Sequence, residues 1–388
     1  MTHSFFEQRK KQNLRPLTIS NKEKYYFDLL NIEHSWSGRM DTNIGNTFIM
    51  EAVQLLINAI ELFEQGYFDC AFYSLRSAIE LSTTMVFLVD MPDEERVSLL
   101  DAWKGTKSFP MQRQMLQMLS NNGYIFIDMQ KKMPIFFKNT RKLSGKINKY
   151  VHKQGLEHFY IGRNHPFNAS KPQDKFINTF EYYLKRCIGI VAVMRLAIDP
   201  FPILLMDEDI LYRCFDSMTD PYSEKFVKEY ITQHTLDAYK KTDIYKDTYN
   251  SFSDEPRKTE AVFNIVKHKY IDSTKMDEIL EQLSLMTMTD IINVLMVYAC
   301  DKVVKTYCHN GLLMYYTEKN TNRKNLSWSG IDFAKFAQAE NKKNQQYDEA
   351  YISVFKFADE IYYAEHNEIL TEDDIYNIDF LIKESLKK

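Results

Sequence analysis

The chain has 388 residues, 45% of them hydrophobic, with a net charge of only −4, so it holds enough apolar material for two cores. Eleven glycines and ten prolines are few for this length, which excludes a turn-rich all-β protein and favours long helices. Five scattered cysteines, Cys70, Cys187, Cys214, Cys300 and Cys308, suggest reduced thiols in a cytoplasm, and the N-terminus shows no apolar segment with a signal-cleavage site.

In chain order, a helix is expected from about Lys22 to Leu30. A Trp-Ser-Gly turn at 36–38 leads to a strong helix over Thr47–Gln65, whose apolar residues Phe48, Ala52, Leu55, Leu56, Ala59, Leu62 and Phe63 recur at three and four. Gly66 ends it and Tyr67 opens the next helix, to about Asp90. So short a link makes the two an antiparallel hairpin. On the second helix Ala71, Leu75, Ala78 and Ser82 form a small-residue ridge, and Arg76 and Glu80 an i,i+4 pair. Pro92 and the acidic run after it start a third helix. Shorter pieces follow over 111–119 and 130–137, then a helix from about Phe137 that carries His152. Gly155 looks like its C-cap, and a charged His152 there would complement the helix dipole.

The loop 155–173 holds His158 and His165, but no carboxylate or cysteine stands beside them at ligand spacing, so neither metal nor any other cofactor is expected. Asp174–Ile198 reads as a long helix. Its apolar end, Cys187 to Met206, contains Arg195, Asp199 and two prolines, which suits a buried helix better than a membrane span; no membrane partner is expected. Asp199-Pro200-Phe201-Pro202 is the expected domain boundary, giving 1–200 as a helical bundle with a basic segment and 201–388 as a second helical domain with an acidic tail. In the second half, helices are expected over 207–215, 223–241, 259–269 and 276–285. The strongest runs from Thr289 to about Tyr307, and the tail from Asp332 reads as further helices bearing Glu360, Glu365, Glu368, Glu372, Asp373 and Asp374. That tail is a candidate cover for the basic segment. The tetrapeptide SWSG occurs at 35–38 and again at 327–330, too short a match to establish a duplication. The fold class expected is therefore all-α, two helical bundles.

Charge is uneven along the chain. Between Lys131 and Arg186 thirteen Lys or Arg face three acids, Glu157, Asp174 and Glu181, a balance suited to a polyanion. Phe136, Phe137, Tyr150, Phe159 and Tyr160 are interleaved and are candidates for stacking on unpaired bases. The alternative is a solvated face that neutralises acids elsewhere in the fold.

The helix carrying LRSAIE and the later run Asn148-Lys149-Tyr150-Val151-His152 together resemble the HEPN superfamily of small helical bundles, over residues 45 to 200. The resemblance implies antiparallel pairing of two copies and, in active members, metal-free RNA cleavage by an arginine followed four to six residues later by a histidine. It links such proteins to bacterial toxin and phage-defence systems. Here Lys146 stands six residues before His152, and Arg141 eleven before it. A lysine offers a point charge where arginine offers a planar fork. On this reading His152 is the acid/base, Asn148 orients it or the phosphate, and Lys146, Lys149, Arg141 and Arg76 bind the anion, Arg76 replacing the missing arginine from the neighbouring helix. RNA and a homodimer or protein partner are the expected partners. The competing class is a non-catalytic scaffold or regulatory subunit that binds another protein. Phosphate-binding glycine loops, dinucleotide fingerprints, GxSxG elbows, paired-cysteine zinc motifs and HExxH helices are all absent.

Overall fold

The computed structural model describes residues 5, 7, 8, 16–39, 43–105, 109–159, 173–214, 218–319 and 329–387. They form two compact units: one of residues 1–211 with Met218–Asp254, the other of Tyr212–Ser217 with Glu255–Lys388.

The first unit is helical. After α1 (Lys22–Glu33) come α2 (Asn43–Glu64) and α3 (Phe68–Asp90), the central hairpin. Gly66, at φ +88°, makes the tight link between them, a conformation in which a Cβ would clash. Then follow α4 (Asp93–Lys104), α5 (Gln112–Asn122), α6 (Tyr124–Lys132), α7 (Pro134–Val151) and α8 (Gln173–Arg195). The Asp90 carboxylate ends α3 by accepting from the backbone N–H groups of Ile125 and Phe126, 2.8 Å each, at the start of α6. Inside, Phe63 stacks on Phe180 with centroids 3.9 Å apart, so α2 and α8 meet through aromatic faces. By length and composition α2 alone among the described helices is apolar enough to cross a membrane, and half of its apolar window is buried in this core.

The expected boundary at 199–202 falls inside this unit. Arg195, only 1% exposed, pairs with Asp199 at 3.3 Å and donates to the Ser35 carbonyl at 2.7 Å. Removing one partner of such a buried pair costs roughly 3–5 kcal/mol. The Tyr222 and Tyr239 hydroxyls donate to the carbonyls of Ala192 and Leu196, 3.2 and 2.9 Å. These late residues close the end of α8, so 218–254 belongs with the bundle. The expected helix over 223–241 is broken into Glu224–Phe226, a π-helical turn Val227–Ile231 and α9 (Gln233–Tyr239), with Thr232 at φ +77° between the last two; α10 (Asp243–Ser253) completes the unit.

The second unit overturns the expectation of an all-α protein. It contains a six-stranded mixed sheet, so the chain is α/β. Its elements are α11 (Glu260–His268), β1 (Tyr270–Ile271), α12 (Met288–Ala299), β2 (Val303–Cys308), β3 (Leu313–Thr317), α13 (Gly330–Gln338), β4 (Gln345–Tyr347), β5 (Ala350–Phe357), β6 (Glu360–His366) and α14 (Glu372–Ser385). Strand order is β1-β3-β2-β6-β5-β4, with only the β1–β3 pair parallel. The helix expected over 289–307 stops at Ala299, and the β-branched run Val303, Val304, Thr306 continues as a strand buried at all six positions. The tail from Asp332 is not helical throughout either, since β4, β5 and β6 lie between α13 and α14. Glu365 is fully buried and accepts from the Tyr307 hydroxyl at 2.5 Å, and Asp374 caps α14 and pairs with Lys302. These two acids are engaged inside the unit.

Candidate functional site

Chemistry-bearing residues meet where the end of α7 lies against α3. Along α3 the residues Asp69, Tyr73, Arg76 and Glu80 fall at helical spacing on one face. Each holds part of that junction. Lys153 pairs with Asp69, and the Tyr73 hydroxyl donates to the Val151 carbonyl at 3.2 Å. Below them Tyr150 stacks on Phe72, centroids 4.1 Å apart and planes within 7°.

His152 is the C-cap of α7, and its N–H donates to the Asn148 carbonyl at 2.8 Å. The Gln154 N–H reaches back to the Lys149 carbonyl at 2.9 Å, which closes the helix in the Schellman manner. That closure needs a left-handed residue. Lys153 supplies it at φ +55°, a cost of about 1 kcal/mol for a residue with a Cβ, while Gly155 at φ +100° lies two residues further on. The side chain of His152 is left exposed.

Arg76 Nη1 stands 3.3 Å from His152 Nε2. A guanidinium can only donate, so in this contact Nε2 is the acceptor and the imidazole proton sits on Nδ1. Glu80 Oε1 takes Arg76 Nε and Nη2 at 2.9 and 2.8 Å, gripping the opposite edge of the guanidinium and aiming Nη1 at the histidine. Asn148 shares a shallow cleft with Arg76, Glu80, Gln112 and Ser144. Here an imidazole, an oriented cation and an amide stand together at the surface.

The other anticipated residues are placed differently. Lys146 is exposed and lines a separate cavity on another face of α7, about 120° round the helix from His152. Lys149 is exposed on the last turn of α7. Arg141 points its Nε at the Phe137 carbonyl one turn back, 3.4 Å away. Of the aromatics, Phe137 is buried, Tyr150 is committed to Phe72, Phe136 is half-buried, Phe159 is exposed, and Tyr160 lies outside the described residues. His158 is buried with its ring edge against Tyr150, 4.6 Å between centroids; His165 lies outside the described residues. Among the described residues no three His, Cys, Asp or Glu side chains converge as a metal site, and all five cysteines are free thiols.

No protein-family model matches this chain, and no curated protein or solved structure matches it. Any functional reading therefore rests on the residues themselves.

The sequence reading missed a second set of polar residues, inside the sheet. His366 Nδ1 donates to the Glu368 carbonyl at 2.6 Å, so Nε2 accepts from the Ser353 hydroxyl, 2.9 Å away. Both side chains are fully buried, and burial pushes the His366 pKa down to about 4. Ser353 in turn accepts from the Asn344 N–H at 2.9 Å. Nearby in the ladder, Lys305 lies opposite Glu365 and its ammonium sits 4.1 Å from the Tyr316 ring centre. Sealed in this way, these groups lie within the sheet, away from the surface. The sequence signals for the sheet around them are β-branched and aromatic enrichment around 303–307 and 351–363 and the Asn310-Gly311 pair after β2.

Proposed function

We propose that the first unit is a HEPN-like RNA-binding and metal-free RNA-cleaving module, with His152 as general base and Arg76 as the phosphate-binding cation. The observation that carries this reading is the 3.3 Å contact of Arg76 Nη1 with His152 Nε2 at the surface. When a phosphodiester arrives, its oxygens draw Nη1 off the ring and free Nε2. His152 Nε2 then takes the 2′-hydroxyl proton. The 2′-oxygen bonds to phosphorus, the bond to the 5′-oxygen breaks, that oxygen takes a proton from water, and the hydroxide left takes the proton held by His152. The products are a 2′,3′-cyclic phosphate and a 5′-hydroxyl. Arg76, held by Glu80, stabilises the charge on the phosphorane, and Asn148 and Lys149 steady the phosphate from the last turn of α7.

One observation favours a second reading. Glu80 occupies one edge of Arg76, so the same three residues also serve as a staple between α3 and α7 in a non-catalytic bundle that binds a protein partner. The two readings part on one experiment: the purified protein and its His152→Ala variant are incubated with a mixed pool of structured RNA in EDTA and the products are sized. Cleavage by the unaltered protein alone supports the nuclease; intact RNA in both supports the scaffold.

A further inference from the structure

A cavity of the first unit lies away from the Arg76–His152 pair, among α7, α8 and the segment around the π-helical turn. Its walls follow from helical spacing. On α7 the residues Phe136, Asn139, Leu143 and Lys146 recur at three and four, and on α8 so do Tyr182, Arg186, Gly189 and Val193. The third wall is Tyr230, Ile231 and Thr235, from the π turn and α9. Two features of the backbone build it. A Cβ on Gly189 would sit 2.1 Å from the Tyr230 carbonyl oxygen, so only glycine lets the π turn approach α8 so closely. The π turn and the left-handed Thr232 then re-aim Thr235 toward the opening.

The chemistry of the lining is one-sided. Lys142, Lys146 and Arg186 stand exposed at the mouth, and no carboxylate is among the described lining residues. The floor is apolar, from Leu143, Ile190 and Val193, and Thr140 Oγ1 is buried there with no hydrogen-bond partner among the described residues. Arg186 lies over the Tyr182 ring, 5.6 Å from its centre, so the rim offers a cation and a π face together. The cavity measures about 210 Å³. That is below the roughly 300–1,000 Å³ of drug-sized pockets, and it suits one planar ring with its charged group left at the mouth.

We propose that this cavity binds a phosphorylated nucleoside unit, the base against Tyr182, Ile190 and Val193 and the phosphate between Lys142, Lys146 and Arg186. Lys146 thus acts here and not at His152. Two sources offer this chemistry, a free nucleoside monophosphate and the phosphorylated end of an RNA. The site does not depend on the nuclease reading, since it shares none of the Arg76, Asn148 and His152 side chains.

Equilibrium dialysis of the full chain at low salt with each of the four ribonucleoside 5′-monophosphates tests it. At least one should bind at one per chain with Kd below about 1 mM. Its nucleoside should bind at least tenfold more weakly, as should the monophosphate to Lys146→Glu and Arg186→Glu. Thr140→Val should weaken binding without any change of charge, and His152→Ala should leave it unchanged. Circular dichroism of each variant confirms that it is folded. Failure of all four monophosphates to bind, or binding indifferent to both charge reversals in folded protein, overturns the proposal. A 5′-phosphorylated trinucleotide run beside them identifies the source: tighter binding than the mononucleotide assigns the pocket to an RNA end, weaker binding to free nucleotide.

Discussion

Two histidines, one in each unit, are held at Nε2 by a neighbouring side chain, and they differ in what else can reach them. His152 caps an exposed helix end and meets Arg76; His366 ends β6, fully buried, and meets Ser353 on β5. In residue type the second pair is the more suggestive, since a serine with a histidine is the beginning of a nucleophile and its base. Burial cancels that. No substrate enters a fully buried pair, and a histidine whose pKa has fallen to about 4 is held neutral by burial and not by a reaction. Exposure beside an oriented cation is what leaves the Arg76–His152 pair open to a ligand, and access separates the two pairs more sharply than residue identity does.

The sharpest way to break this comparison is to delete each histidine. His152→Ala should lower RNA cleavage by about 10²- to 10⁴-fold, the usual worth of a general base, with an unchanged melting curve. His366→Gln should leave cleavage intact, so a comparable loss there would end the distinction.

Next in size is a pH effect confined to His366. Its ordinary pKa of 6.5 falls to about 4 on folding, so between those values the unfolded chain takes a proton that the folded one refuses. This contribution to stability is fully present above pH 6.5 and is lost as pH falls toward 4, on the order of 3 kcal/mol in all. Urea unfolding of the protein and of His366→Gln at pH 7 and pH 5 measures it, and the gap between them should narrow in acid.

Smaller effects sharpen the exposed site. Arg76→Lys keeps the charge but loses the fork that serves Glu80 and the phosphate at once, and cleavage should fall about tenfold. Asp69→Asn removes the charge that faces the buried Lys153 ammonium and should lower thermal stability, with cleavage nearly unchanged.

Legibility in the sequence followed the same divide. The α2–α3 hairpin could be read because its apolar residues recur at three and four and Gly66 marks the turn. The sheet was legible only in part: Asn310-Gly311, both at positive φ, turns the β2–β3 hairpin, but the pair follows what reads as one helix over 289–307. The β5–β6 hairpin turns through Ala358 and Asp359, both at positive φ, where Asn-Gly would have announced it. Lys305 and Glu365, buried on adjacent strands, read in sequence as the polar face of helices. At the candidate site the sequence offered His152 and Asn148 by local spacing, and Arg76 only through the family resemblance, since no local pattern links residues 76 positions apart. The cavity beside α7 had no signal at all, because its third wall depends on a π turn within what reads as one continuous helix.

The most direct test of the central claim is the chemistry of the new RNA ends formed in EDTA. The account predicts 2′,3′-cyclic phosphates and 5′-hydroxyls from the unaltered protein and none from His152→Ala. Uncut RNA with the folded protein, or 5′-phosphate ends produced equally by both, would contradict it.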